Sequence, residues 1–395
     1  MPAQADTPSL KSQGHALSVL AAGLVTVLVG FTSSYAIVVQ AGQAMGMDRA
    51  GIISMTLALC LGMGLTTLLP SLWLRMPVVT AWSTPGAALL AVTAHQGGVA
   101  SAIGAFMLCG ALLLLVGITG WFERGMSRIP AALASALLAG VLVRFGLETF
   151  AALKTALPVV GAMLLVYLVG KRVTQRFVIP LVLLAGVAAA LLSGKLVLPV
   201  LALHWATPVA TAPHFVLADM IGIALPLFIV TMASQNVPGV AVLKAFNYPV
   251  PVSRVIALTG LATLLLAPFG AYALNLAAIT AALCMGAEVH PDPGKRYLAA
   301  AAAGALYIVI GLLAPSIVDI FTAFPHELII AVAGLALLPT IGRGLATALA
   351  DETEREPALI AFLVTASGVT LFGIGAAFWG VVAGVVSRLI LVRKP

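Results

Sequence analysis

Residues 79–90 read VTAWSTPGAALL, so Trp82, Ser83, Thr84, Pro85 and Gly86 stand together inside a segment that is otherwise apolar. Ser83 or Thr84 suits the N-cap of a helix and Pro85 its first turn, which predicts a helix start here. A helix N-terminus carries unpaired N–H groups and about half a positive charge, and together these attract anions. The chemistry on offer is recognition of a carboxylate without a fixed cation, which is costly to insert in lipid. A proline kink filled by a neighbouring side chain is the plainer alternative.

A second interruption lies at PFGAYALNLAAITAALCMG, residues 268–286. Pro268 and Gly270 are expected to end one helix and Asn275 to cap another, from Leu276 to about Met285. The N–H groups from Thr84 to Gly86 and from Asn275 to Ala277 would then converge on one anion, with Trp82 and Tyr272 as flat walls beside it. TMASQNVPG, 231–239, sets Gln235 and Asn236 against a break at Pro238-Gly239, where the amides either donate to a ligand or tie helices together. GFTSSYAIVVQ, 30–40, adds Ser33, Ser34 and Gln40 as secondary candidates on the same two terms.

The chain offers no legible enzyme centre. Its 13 acidic residues map to loops, tails or the ends of apolar segments, with Glu148, Asp219 and Asp319 at such ends. His204, His214 and His290 fall in loops, no His pair has ligand spacing, and Cys60, Cys109 and Cys284 sit at unrelated spacings in apolar runs. No metal and no cofactor is expected. A membrane-embedded enzyme, which needs a converging acid–base or metal set, and a passive channel stand as remote alternatives.

The elements that position these residues follow from composition. Of 395 residues 62% are hydrophobic and only 8% charged, which leaves too little polar surface to face water and suits a bundle in a lipid bilayer. The net charge of +7 is scattered between apolar segments rather than massed on a face, so no nucleic-acid partner is expected. After a polar tail of residues 1–14, apolar segments near the ~20 residues a span needs predict fourteen transmembrane segments, at 16–44, 51–73, 77–94, 101–121, 129–147, 155–170, 177–198, 216–236, 253–268, 270–287, 297–318, 326–342, 357–374 and 376–391. With the N-terminus inside, 16 of the 20 Lys and Arg fall on the inner side and only Arg49, Arg144, Lys154 and Lys195 on the outer, which predicts cytoplasmic N- and C-termini.

An internal repeat is visible. GALLLLVG at 110–117 returns as GALYIVIG at 304–311, an offset of 194, and each copy is followed by a proline, Pro130 or Pro325, that opens a segment with an Ala-Gly pair. Seven spans per copy is an odd number, so the second copy enters the membrane from the opposite side. The expected fold is an all-α polytopic membrane protein with a 7+7 inverted repeat, residues 15–205 and 206–395, and with spans 3 and 10 broken. Each broken span is a short extended piece plus a half-helix: Thr84 to about His95 covers only ~17 Å of a ~30 Å core, and MPVVTAW before it suits an extended chain.

MPVVTAWSTPGAALL (76–90), TMASQNVPG, AFLVTASG (361–368) and AFWG (377–380) resemble the benzoate membrane transport protein family, BenE, and the likeness runs from about residue 16 to the C-terminus. The resemblance implies a secondary active transporter that imports benzoate or a similar small aromatic carboxylate across the bacterial inner membrane by proton symport. It also implies kinship with nucleobase and sulfate-type transporters, in which spans 1–4 and 8–11 form a core that rocks against a gate of spans 5–7 and 12–14. An anion or nucleobase carrier of the same fold is the alternative. Where nucleobase carriers of that fold place acidic residues near spans 8 and 10, this chain has Gln235 and Leu274, beside Asn275. That departure suits an anionic substrate, which a carboxylate would repel. The expected partners are the substrate, protons and lipid, with a homodimer left open.

Overall fold

In a lipid interior each backbone N–H and C=O must find a partner inside the protein, and long apolar segments satisfy them as helices. The computed structural model describes residues 10–93, 97–122, 131–173, 178–196, 204–287, 289–369, 371 and 376–391, so the expectations at His95 and Pro130 lie outside the described residues. The first half holds α1 (Leu10–Ala44), α2 (Arg49–Leu74), strand β1 (Thr80–Trp82), α3 (Thr84–Val92), α4 (Gly98–Thr119), α5 (Ala131–Ala151), α6 (Leu153–Val173) and α7 (Val178–Leu192). Helix α1 starts at Leu10, inside the segment expected to be a polar tail.

The second half opens with α8, continuous over 217–245, in which α-helical stretches alternate with the π-helical turns Met220–Ala224 and Met232–Asn236. Then follow α9 (Val252–Leu266), strand β2 (Leu274–Leu276), the four-residue α10 (Ile279–Ala282), α11 (Tyr297–Leu312), α12 (Ala314–Ala323), α13 (His326–Ala348), α14 (Arg355–Ala366) and α15 (Ala376–Leu391). Among the described residues, eight helices are long and apolar enough to cross a membrane, and α1 is a bent ninth.

Helix α4 packs along α9, α11 along α2, and α5 against α13 and α14. Glycine sets how close the first two pairs come. A Cβ on Gly110 of α4 would stand 2.7 Å from Leu264 N and 3.1 Å from Gly260 O on α9, and one on Gly304 of α11 would stand 2.8 Å from Leu68 N and 2.9 Å from Gly64 O on α2. Gly110 and Gly304 open the two repeated octapeptides. The sequence repeat therefore marks two equivalent backbone-on-backbone crossings, each joining a helix of one half to a helix of the other, the small-residue packing that holds helices together where lipid removes the hydrophobic drive.

Between the halves, residues 204–216 run without helix or strand along one end of the bundle. Ala206 N–H donates to Leu312 O at the end of α11 (2.9 Å), Thr211 N–H to Pro268 O after α9 (2.8 Å) and His214 N–H to Ala100 O on α4 (2.9 Å). Ser54 of α2 accepts from Val209 N–H at 2.9 Å, and its hydroxyl lies 3.1 Å from Val209 O and 3.0 Å from Phe269 O. This strap is stitched to four elements.

Replacing Gly304 by Val should drive α11 off α2 and cost about 1–3 kcal/mol or more, read as a lower melting temperature of the detergent-purified protein. Gly342→Ala, whose added Cβ meets nothing within 4 Å, should leave that temperature unchanged or raise it.

Candidate functional site

Strands β1 and β2, from the two halves of the chain, pair antiparallel with Thr80 opposite Leu276, Ala81 opposite Asn275 and Trp82 opposite Leu274. The ribbon is extended at both ends by Ser83 N–H to Ala273 O and Ala277 N–H to Val79 O, each 2.9 Å. All residues from 271 to 277 are buried. Residues 77–82 follow the expectation of an extended piece, with Val78, Val79 and Thr80 β-branched and suited to it.

The outward-facing groups of so short a ribbon need partners, and hydroxyl side chains of the flanking helices supply many of them. On the β1 side, Thr67 of α2 accepts from Thr80 N–H (3.0 Å) and Ser71 from Val78 N–H (3.2 Å), while the Thr80 hydroxyl meets Thr66 at 2.6 Å and Thr67 at 2.9 Å. On the β2 side, Thr263 of α9 accepts from Leu274 N–H (3.0 Å) and the Asn236 carboxamide oxygen from Leu276 N–H (2.9 Å). Asn236 thus ties α8 to β2, the helix-linking role weighed for it in the sequence.

At the first interruption Ser83 is the N-cap of α3, its hydroxyl accepting from Gly86 N–H at 3.1 Å, with Thr84 and Pro85 in the first turn. Ser83 Oγ also accepts from the Thr231 hydroxyl of α8 at 3.0 Å, which leaves its own proton to give. As the first helical residue, Thr84 has an N–H without an intrahelical partner. Gly86 is required by packing: a Cβ there would stand 2.5 Å from Leu227 Cδ1 of α8.

The second interruption departs from expectation. Asn275 is a strand residue, not a cap; the cap position belongs to Ala278 and the helix after it, α10, is one turn long. The N–H groups of Leu276 and Ala277, expected to be free for an anion, are already bonded to Asn236 and Val79. The cause is tertiary: Val79 beside β1 and Asn236 of α8 offer these groups partners, so the segment need not coil to satisfy them. With its amide turned to match its neighbours, Asn275 accepts from Ser83 N–H at 3.2 Å and donates to Leu276 O at 3.0 Å.

Trp82 and Tyr272 do not face one another as paired walls. The Trp82 indole N–H donates to Ser34 of α1 at 2.9 Å, and its ring meets Phe31 edge-on at 5.4 Å between centroids and lies 6.1 Å from Tyr35. Phe321 of α12 closes the cluster, 4.7 Å from Tyr35. Tyr272 packs instead on Phe106 of α4, 6.1 Å away, and its buried hydroxyl has no partner among the described residues. Phe31, Tyr35 and Phe321 were not singled out in the sequence, although the four-residue spacing of the first two marks one helix face.

Gln235 is half-buried within the π-helical turn, and α8 runs on through Pro238-Gly239 without the expected break. Proline removes one i→i−4 bond, and widening the turn makes room for its ring. The hydroxyls of Ser33 and Ser34 donate back to Gly30 O at 3.2 and 3.0 Å. Gln40 lies further along α1, and its buried amide nitrogen has no partner among the described residues. Asp219, expected at a segment end, is there but buried, accepting from the Ser101 hydroxyl of α4. No group of three or more His, Cys, Asp or Glu among the described residues is placed to hold a metal.

The model of the benzoate membrane transport protein family, BenE, matches residues 13–390. The chain belongs to this family. As a BenE member it is 48% identical over 373 residues to "Inner membrane protein YdcO" of Escherichia coli (strain K12), covering 94% of this chain and 95% of the relative. It is 37% identical over 381 residues to the "Benzoate membrane transport protein" of Acinetobacter baylyi, covering 96% and 97%. Membership in a transport family sets aside the membrane-embedded enzyme. The fold is shared with the transmembrane domain of the cyanobacterial bicarbonate transporter BicA, at TM-score 0.57 and 14% identity over 98% of this chain and 99% of that one. It is also shared with SLC26A9, at TM-score 0.62 and 13% identity over 94% of this chain but only 65% of that one.

Asn236→Leu should strand the Leu276 N–H in an apolar setting and cost about 1–3 kcal/mol, measured as a fall in the melting temperature of the purified protein.

Proposed function

We propose that this protein is a secondary active transporter of the bacterial inner membrane that imports benzoate or a similar small aromatic carboxylate together with protons. The reading takes the chain as fourteen spans in a 7+7 inverted repeat, both termini cytoplasmic, with spans 3 and 10 broken. The observation that carries it is the buried ribbon of β1 and β2, which joins the two halves next to the N-terminus of α3.

In this reading the carboxylate rests beside Trp82 to Gly86 and Asn275 to Ala277. The Thr84 N–H and the Ser83 hydroxyl donate to it, Gln235 reaches it from the π-helical turn of α8, and Asn236 holds β2 in place. The Trp82, Phe31 and Tyr35 rings supply an apolar shelf for the aromatic ring. Core helices α1–α4 and α8–α11 move against the gate helices α5–α7 and α13–α15, exposing the site to alternate sides. The substrate carboxylate can itself carry the proton, which removes the need for a protein relay at that depth.

The anion-carrier reading has a specific point in its favour, the shared fold with a bicarbonate transporter and with a protein titled an anion transporter. Uptake of labelled benzoate into proteoliposomes, with and without an imposed inward proton gradient, tests the primary reading. Gradient-driven accumulation that unlabelled benzoate abolishes, and that bicarbonate, sulfate and uracil leave intact, is the expected result. Efficient competition by bicarbonate or uracil moves the protein to the other reading, and equilibration without accumulation makes it a channel. Ser83→Ala combined with Gln235→Leu, which removes the two side-chain donors, should lower uptake by about tenfold, two neutral hydrogen bonds' worth, at unchanged membrane abundance. Unaltered uptake would remove the ribbon from the account of binding.

A further inference from the structure

A cavity of about 800 Å³ opens between the two helix groups at the end of the bundle where α1, α3 and α5 finish and α13 begins. Gln40 and Val92 line it from α1 and α3, Arg144 and Glu148 from α5, and His326 and Glu327 from the first turn of α13. It is continuous in sequence with the ribbon site along two helices. Tyr35 and Gln40 are little more than one turn apart on α1, and α3 runs from Ser83 at the ribbon to Val92 at the cavity, some 13 Å at 1.5 Å per residue.

Arg144 is the unusual member. It sits about 10 Å inside the C-terminal end of α5, at 1.5 Å per residue, and is half-buried. A guanidinium at that depth is costly and calls for a partner. Among the described residues no carboxylate forms an ion pair with it, Glu148 and Glu327 included; the ion pairs present are Arg49–Asp319, Arg355–Glu352 and Arg388–Glu354. Its Nη1 instead lies 2.9 Å from where a Cβ on Gly368 would stand, just past the C-terminus of α14. The negative end of that helix dipole is a weak resting partner for a cation, worth well under a full ion pair. Gln40 lines the same cavity from α1, and its amide nitrogen, buried just behind the wall, has no partner among the described residues. Arg144 and Gln40 line one space, and a planar bidentate cation with an amide donor beside it is what a carboxylate needs. Glu148 is exposed one turn nearer the mouth on α5, and Glu327 lies in the first turn of α13, where the dipole favours an acidic side chain.

We propose that this cavity is a capture site for the substrate carboxylate, with the Arg144 guanidinium as its anion-binding group and the Gln40 amide completing it from the facing helix. The inference rests on the transport reading above and adds to it a second binding station, ahead of the ribbon. It also gives the gate a role in selectivity, because the discriminating charge is on α5.

The test is benzoate uptake kinetics in proteoliposomes for wild type, Arg144→Gln, Arg144→Lys and Gln40→Leu, with neutral benzamide as a competing isostere. Loss of a charge-assisted pair predicts a KM raised on the order of tenfold to a hundredfold in Arg144→Gln, a smaller rise in Arg144→Lys and Gln40→Leu, and loss of the preference for benzoate over benzamide in Arg144→Gln. An unchanged KM with a lowered maximal rate, or an unchanged benzoate preference, overturns the proposal and leaves benzoate transport standing. If Arg144→Gln does not reach the membrane, the other two variants decide. Should the wild type take up no benzoate, the transport reading fails on its own. Thermal stabilisation of the purified proteins by benzoate, bicarbonate and sulfate then judges Arg144: an anion that stabilises wild type but not Arg144→Gln upholds the site, and one that stabilises both, or none at all, removes it.

Discussion

Where the backbone N–H groups of residues 78–82 and 274–276 go is the constraint on which the molecule depends. Two short extended segments in an apolar interior form a ribbon with two open edges, and an open edge in lipid is ordinarily forbidden. Here the edges are closed by side chains. Thr67 and Ser71 of α2 take the N–H groups of one strand, and Thr263 of α9 with Asn236 of α8 takes those of the other. Each half of the chain thus contributes a strand and the hydroxyl-bearing helix that shields it, α2 for β1 and α9 for β2.

The same arrangement fixes the surroundings of the ribbon. Because Ser83 N–H is held by Ala273 O, the start of α3 is set by the other half of the chain, and its capping hydroxyl is further held by Thr231. Trp82 is oriented by Ser34 and by the rings of Phe31 and Tyr35, so the aromatic shelf belongs to α1 and α12 as much as to the ribbon. The start of α3 and the Trp82 ring are thus each fixed from more than one element.

Much of this was legible from residue types. Apolar length gave the helices, the octapeptide at Gly110 and Gly304 marked a real packing equivalence, and Ser83-Thr84-Pro85 announced a helix start because capping is a local interaction. The second interruption misled for the opposite reason. Leu, Ala and Asn in ALNLAA favour a capped helix locally, and only the distant strand at Thr80 turns them into a strand. Pro238 reads as a break, yet a helix can absorb a proline by widening one turn. That Trp82 and Tyr272 point to different helices depends on strand pairing and packing, which no spacing in the sequence reports. Arg144 looked like an outer flanking charge, since a one-dimensional profile cannot tell a residue at a segment's end from one turned inward beside a cavity.

The strap of residues 204–216 decides how the two halves are coupled. The backbone bonds it makes to other elements, among the described residues, reach α2, α4, α11 and the turn after α9, with none to α5, α13 or α14. It laces one rim of a single helix group, like a drawstring on that group alone. The covalent joint between the halves is therefore fastened to the helices around the ribbon, and under the proposed rocking motion it would travel with them, so that the connections to α5–α7 and α13–α15, not the linker between the halves, would limit the amplitude.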